Sequence, residues 1–100
     1  MLHSKYILED GNLVLGKVEF HKVLVEIKEN VRGGGLFRFD LDKKECLFFG
    51  ESHDFGRPKM EDVKKAVEEG KVWTSMIGGR NIAGDFTFKW DRYSEIVTLN

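Results

Sequence analysis

The chain has 100 residues, 41% hydrophobic and 12% aromatic, a globular composition with material for one small core. Sixteen basic residues face seventeen acidic ones, and the resulting net charge of -1 gives no ground for a nucleic-acid partner. A single cysteine excludes an intrachain disulfide, and no apolar run approaches the ~20 residues a membrane helix needs. With no basic stretch leading into an apolar one at the start, the expectation is a single α+β domain over residues 1–100, cytoplasmic, with no membrane partner.

Lys5 to Phe20 reads as two strands around Asp10-Gly11-Asn12, a strong hairpin signal. Val14, Val18 and Phe20 fall on one parity of the second strand, which Gly16 interrupts. In "HKVLVEIKEN" the β-branched residues favour a strand, but Val23, Leu24, Ile27 and Val31 follow a helical stripe. The spacing predicts a short helix there, with Gly33 or its neighbours as its left-handed stop. "LFRFDLDKKECLFF" predicts a second hairpin turning at Asp42-Lys43-Lys44, with Cys46 as a small core residue. "RPKMEDVKKAVEEG" predicts a helix with Pro58 in its first turn, Met60, Val63, Ala66 and Val67 buried, and Gly70 just past its end. "KVWTSMI", "DFTFKW" and "EIVTLN" predict three more strands, joined at Gly78-Gly79-Arg80-Asn81 and at Asp91-Arg92-Tyr93-Ser94. Phe86, Phe88 and Trp90 share one face of the middle strand, with Thr87 and Lys89 on the other. The expected architecture is a mixed β-sheet with two helices.

His3, His21 and His53 stand far apart, and one cysteine gives no familiar metal spacing with them, so neither metal nor cofactor is expected. The triple glycine Gly33-Gly34-Gly35 lacks the Lys-Ser/Thr pair of a nucleotide-binding loop, and Ser52 lacks the glycine spacing of a nucleophile elbow. A looser set remains: Lys5, His21, the triple glycine, and the loop from Gly50 through Ser52, His53 and Asp54 to Gly56. Phosphate handling would unite it. A histidine can take a proton from water or attack phosphorus. A lysine neutralises phosphoryl oxygens, and a glycine-flanked loop ahead of a helix presents backbone N–H groups to them.

At these residues the chain resembles the protein phosphohistidine phosphatase family, the Janus/Ocnus group. "HSKYIL" is similar to that family's strand F-K-Y-V-L-I, and "EFHKVL" to its E-Y-H-A-D-I. "GGGLFRFDLDKKECLFFGESHDFG" follows the order of its G-G-G and of the hairpin ending D-K-K-I-H-V-Y-G-Y-S-M-A-Y-G, with the interval from Gly35 to Ser52 matching without a gap. The resemblance runs from about Lys5 to Gly70, and the strands beyond are additional to the family pattern. It implies a Janus-like fold, His21 as catalytic base or nucleophile, and a phosphate cradle of Lys5, Ser52, His53 and Asp54. There are departures. The segment between His21 and Gly33 is short, the family alanine after the histidine is Lys22, and Glu51 and Asp54 bring carboxylates that would oppose a dianion unless they point away or meet Arg57 or Lys59. These departures favour a non-catalytic or weakly catalytic domain that binds a phosphoprotein or a small anion. The alternatives are an active phosphohistidine phosphatase and an assembly protein, a homo-oligomer pairing through strand edges with the aromatic face of "DFTFKW" as contact surface.

Overall fold

The computed structural model describes residues 2–75 and 79–100. Among them eight strands form one sheet: β1 (His3–Glu9), β2 (Asn12–Val18), β3 (Val31–Asp40), β4 (Glu45–Phe49), β5 (Val72–Thr74), β6 (Arg80–Asn81), β7 (Thr87–Arg92) and β8 (Glu95–Thr98). One α-helix, α1 (Met60–Glu68), lies between β4 and β5 in sequence. The spatial order is β6-β5-β2-β1-β3-β4-β7-β8. Sequential neighbours β1–β2, β3–β4, β5–β6 and β7–β8 pair antiparallel, as do β1 and β3 at the centre, while β2–β5 and β4–β7 are parallel. The fold is therefore strand-rich α+β with a mixed sheet.

Local chemistry accounts for the joints. Asp10 and Gly11 both take positive φ, 50° and 75°, which is the left-handed two-residue loop that matches strand twist. Asp40 accepts the Lys43 N–H at 3.1 Å and organises the β3–β4 turn. Helix α1 ends as its sequence suggests: Gly70 is left-handed at φ 72°, its N–H reaches Val67 O, and the Lys71 N–H reaches Ala66 O. That pair of bonds satisfies carbonyls the helix would otherwise leave open. Pro58, however, precedes the helix, with Lys59 between it and the first helical residue.

Alternation sets the core. Tyr6, Leu8, Leu13, Leu15, Phe37, Phe48, Phe88 and Trp90 turn to one face, where Val63, Ala66 and Val67 of α1 cover part of it. Cys46 is fully buried there. Tyr6 meets Phe48 edge-on at 4.8 Å, and Phe48 stacks with Phe88 at 5.9 Å.

Several expectations are corrected. The helix expected across residues 21–30 is two single 3-10 turns, His21–Leu24 and Lys28–Asn30. Half of its stripe finds no cover, since Val23 and Ile27 are exposed, while Leu24 lies over Gly16. The Glu9 carboxylate captures the N–H groups of Glu26 at 2.7 Å and Ile27 at 3.2 Å, holding that stretch extended instead. Phe20 lies beyond the end of β2 and is half exposed. The triple glycine stops no helix, because Gly33, Gly34 and Gly35 all lie inside β3. The aromatic face of "DFTFKW" is not surface: Phe88 and Trp90 are core, Phe86 packs on it, and β7 is covered on both edges by β4 and β8. The turn after β7 is narrower than expected, only Tyr93 and Ser94, with φ of 50° and 72°. Met76, Ile77 and Gly78, part of an expected strand and loop, lie outside the described residues.

The glycines of β3 carry close approaches. A Cβ on Gly34 would stand 2.5 Å from Tyr6 O, and one on Gly35 would stand 2.7 Å from Phe49 O and 2.9 Å from the Tyr6 ring. Backbone cannot retreat from such contacts, so Gly35→Ala is expected to destabilise the fold by about 2–3 kcal/mol. Gly70→Ala meets open space and loses only the left-handed preference, about 1 kcal/mol. Urea unfolding of the two variants checks the order; equal losses would show that β3 tolerates the added methyl.

Candidate functional site

The residues from 19 to 30 lie across the sheet face opposite the main core. His21 opens the first 3-10 turn and sets its ring over Gly34, where an added Cβ would meet the imidazole at 3.2 Å. Its Nε2 stands 2.8 Å from Gly35 O. A carbonyl oxygen only accepts, so Nε2 carries the proton and Nδ1 keeps its lone pair. The ring is 6% exposed. Burial is the largest influence on its pKa and lowers it from the usual histidine value. The Gly35 carbonyl pulls it back up, the nearby Lys5 ammonium pushes it down, and the Asp54 carboxylate raises it.

Lys5 reaches the same place from β1. Its Nζ donates to Glu19 O and lies 5.9 Å from the centre of the Phe20 ring. The Lys22 ammonium sits against the same ring at 5.4 Å.

The loop after β4 closes the site. Gly50 and Gly56 bound it with φ of 65° and 72°, so both expected turn glycines are left-handed. The loop attaches to β3 through backbone alone: Ser52 N–H donates to Gly34 O and Gly34 N–H to Gly56 O, each at 2.9 Å. Ser52 is buried, and its Oγ accepts the Phe55 N–H at 3.1 Å, which fixes the turn while leaving the hydroxyl proton to donate. His53 and Asp54 form the exposed crown of this turn. Among the described residues their N–H groups reach no backbone carbonyl.

Lys5, His21 and Asp54 thus come within electrostatic reach of one another, and Ser52 is tied to the glycine beneath the His21 ring. Gly33 serves differently: with φ 135° it lets β3 pass the backbone of Arg57 and Pro58, whose nitrogen an added Cβ would meet at 2.5 Å. Arg57 does not neutralise the loop carboxylates. It stacks on Trp90 at 4.4 Å and donates to Asp91 O. Sequence reasoning missed the cleft beside the site, about 500 Å3 between Lys22, Val25, Glu26, Lys28, Asp54 and Phe55. The helical reading of residues 21–30 hid it, although Lys22 beside His21 was a visible signal of added positive charge. Among the described residues no group of three or more His, Cys, Asp or Glu side chains could hold a metal ion, and no helix is long and apolar enough to cross a membrane.

Comparison of the chain with protein-family models, with curated proteins and with solved structures finds no match.

The lowered pKa of His21 has a consequence for stability. The unfolded chain binds a proton near pH 6.5, and the folded chain binds it only at lower pH. Between those two values the unfolded state holds more protons. The His21 contribution is therefore fully present above pH 6.5 and declines as pH falls from 6.5 to the folded value. A carbon-detected NMR titration should place the His21 midpoint below the ordinary histidine value of 6.5, and His21→Gln should flatten the fall of melting temperature over that range. A His21 midpoint above 6.5 would refute the neutral, buried assignment.

Proposed function

We propose that the chain binds a phosphoryl group between His21, Lys5 and the Ser52–Gly56 loop, as a phosphohistidine-phosphatase-like domain of low catalytic power. The observation that carries this reading is the state of His21: a buried imidazole whose Nε2–H is fixed on a backbone carbonyl, leaving Nδ1 as an oriented base. A histidine that only held an anion would do so better as a cation, which the lowered pKa disfavours. The unpaired N–H groups of His53 and Asp54 and the Ser52 hydroxyl supply donors for phosphoryl oxygens. Lys5 supplies charge.

On a phosphohistidine substrate, Nδ1 of His21 would either take a proton from the attacking water or attack phosphorus itself. In the first case hydroxide displaces the substrate imidazole from phosphorus, the P–N bond breaks, the departing imidazole takes up a proton and His21 returns its own to solvent. In the second the phosphoryl group passes to Nδ1 as the substrate P–N bond breaks and the departing imidazole is protonated from solvent, and a water then cleaves the new P–N bond to release phosphate and free His21. Phosphoryl transfer asks for little beyond such positioning and charge. Two features limit the rate. The Asp54 carboxylate lies within electrostatic reach of His21, where it would oppose a dianion, and one N–H of the Lys5 ammonium already donates a hydrogen bond to Glu19 O.

Incubation with a phosphohistidine peptide, followed by phosphate release, tests the reading. Slow release by the native chain is expected, with a loss of at least a hundredfold in His21→Ala and a gain of several-fold in Asp54→Asn as the opposing charge is removed. Binding of the peptide without release from any of the three would reduce the site to an anion receptor. Neither binding nor release, with the chain folded, would refute the proposal.

A further inference from the structure

A separate cluster lies where β7 turns into β8, beside the start of α1. The cleft there, about 210 Å3, is lined by Arg57, Met60, Glu61, Trp90, Arg92 and Tyr93. The Arg57 guanidinium stands 4.4 Å from the centre of the Trp90 ring and 5.9 Å from that of Tyr93. It is held mainly by its faces. Among the described residues, one of its N–H groups reaches Asp91 O, and the buried Nε–H has no acceptor. The Tyr6 hydroxyl, fully buried and close enough to feel the Arg57 charge, has no partner either. Native interiors rarely leave such groups unmade, and although Tyr6 does not line the cleft, the fold supplies few acceptors around Arg57.

Three neighbours have the same character. The Arg92 side chain is exposed and makes no ion pair or hydrogen bond among the described residues. Helix α1 has no side-chain cap at Lys59, and the first N–H groups taken up inside the fold are those of Asp62 and Val63. The N–H groups of Met60 and Glu61 therefore remain at the helix start, where the helix dipole favours negative charge. Tyr93, 90% exposed, stands on a turn whose central residues are both left-handed, a conformation that costs a tyrosine and a serine energy. The only acid on the lining is Glu61.

We propose that this cleft is a second ligand site, taking a small oxyanion (carboxylate or phosphate) between Arg57, Arg92 and the start of α1, with Tyr93 as its aromatic wall. A guanidinium already oriented by stacking loses little freedom when an oxyanion arrives, and its planar donors suit a bidentate acceptor. The site lies on the core side of the sheet, away from His21, and does not rest on the phosphoryl reading of that histidine.

The test is a residue-resolved 15N NMR titration of the full chain with sodium phosphate and, separately, sodium acetate, at an ionic strength held constant with sodium chloride. Saturable shifts are expected at the amides of Met60, Glu61, Arg92 and Tyr93 with at least one of the two anions, and the anion that saturates at lower concentration names the preferred class. Arg92→Ala removes an exposed side chain and should weaken that binding about tenfold while leaving the core resonances in place. Shifts at Ser52 to Phe55 report the His21 site independently, so either site can fail without the other. No saturable shift at the four amides with either anion, or equal affinity in Arg92→Ala, overturns the proposal.

Discussion

Two positions without side chains, in the middle of the central strand β3, govern how the rest of the molecule packs. Gly34 and Gly35 pair with Ile7 and Tyr6 of β1, so they sit where a sheet usually carries its bulkiest residues. Their backbone is approached from both faces. On one side the Tyr6 ring and the carbonyls of Phe49 and Gly50 close on Gly35; on the other the His21 ring closes on Gly34. Bare backbone there means that carbonyl and amide groups are reachable, and each is used. Gly35 O takes His21 Nε2, Gly34 O takes Ser52 N–H, and Gly34 N–H goes to Gly56 O. The histidine and the serine loop thus share one template, although among the described residues no hydrogen bond joins them directly. A glycine in a strand interior costs conformational entropy. Here that cost is offset by three hydrogen bonds that place the candidate site.

What could be read from the chain before its structure follows a physical division. Signals that act over a few residues were legible. Asp10-Gly11 makes its hairpin because both residues tolerate positive φ, and Gly70 ends α1 because its N–H and that of Lys71 can reach back to Val67 and Ala66. The alternation of Phe86, Phe88 and Trp90 identified their shared face correctly, but not whether it lay inside or outside the fold. Period two says which residues travel together; which neighbour covers them is a tertiary fact.

The failures have the same origin. Residues 21–30 carry a fair helical stripe, yet their backbone donors are taken by Glu9, seventeen positions before Glu26. No local pattern announces that competition. Val23, Val25 and Ile27 are weak helix formers that yield to it easily. The triple glycine was read as a helix stop because that is the commonest local use of such a residue, whereas its use here depends on Tyr6, His21 and Pro58 arriving from elsewhere. Lys5, His21 and Asp54 come within electrostatic reach of one another and Ser52 bonds to the glycine beneath the His21 ring, a gathering made by long-range strand pairing that no local pattern announces. Arg57, one of two cations that charge alone offered to the loop carboxylates, is held instead by an aromatic pair from β7 and the turn beyond it, which its own neighbours in sequence do not signal.

The placement of Arg57 also explains how a polar loop keeps its shape. The segment from Gly50 to Pro58 leaves β4, bonds twice to Gly34, and then passes Gly33 so closely that no Cβ fits between them. Immediately afterwards Arg57 stacks on Trp90, itself 3% exposed and part of the core. The loop is therefore pinned at one end by backbone bonds to the central strand and at the other by a cation on a buried ring. Contact with a desolvated indole is less screened by salt than a surface ion pair would be. It also frees the loop carboxylates from pairing with Arg57, so the charge of Asp54 remains directed at His21. The same arrangement that orders the loop thus leaves the Asp54 carboxylate to act on His21.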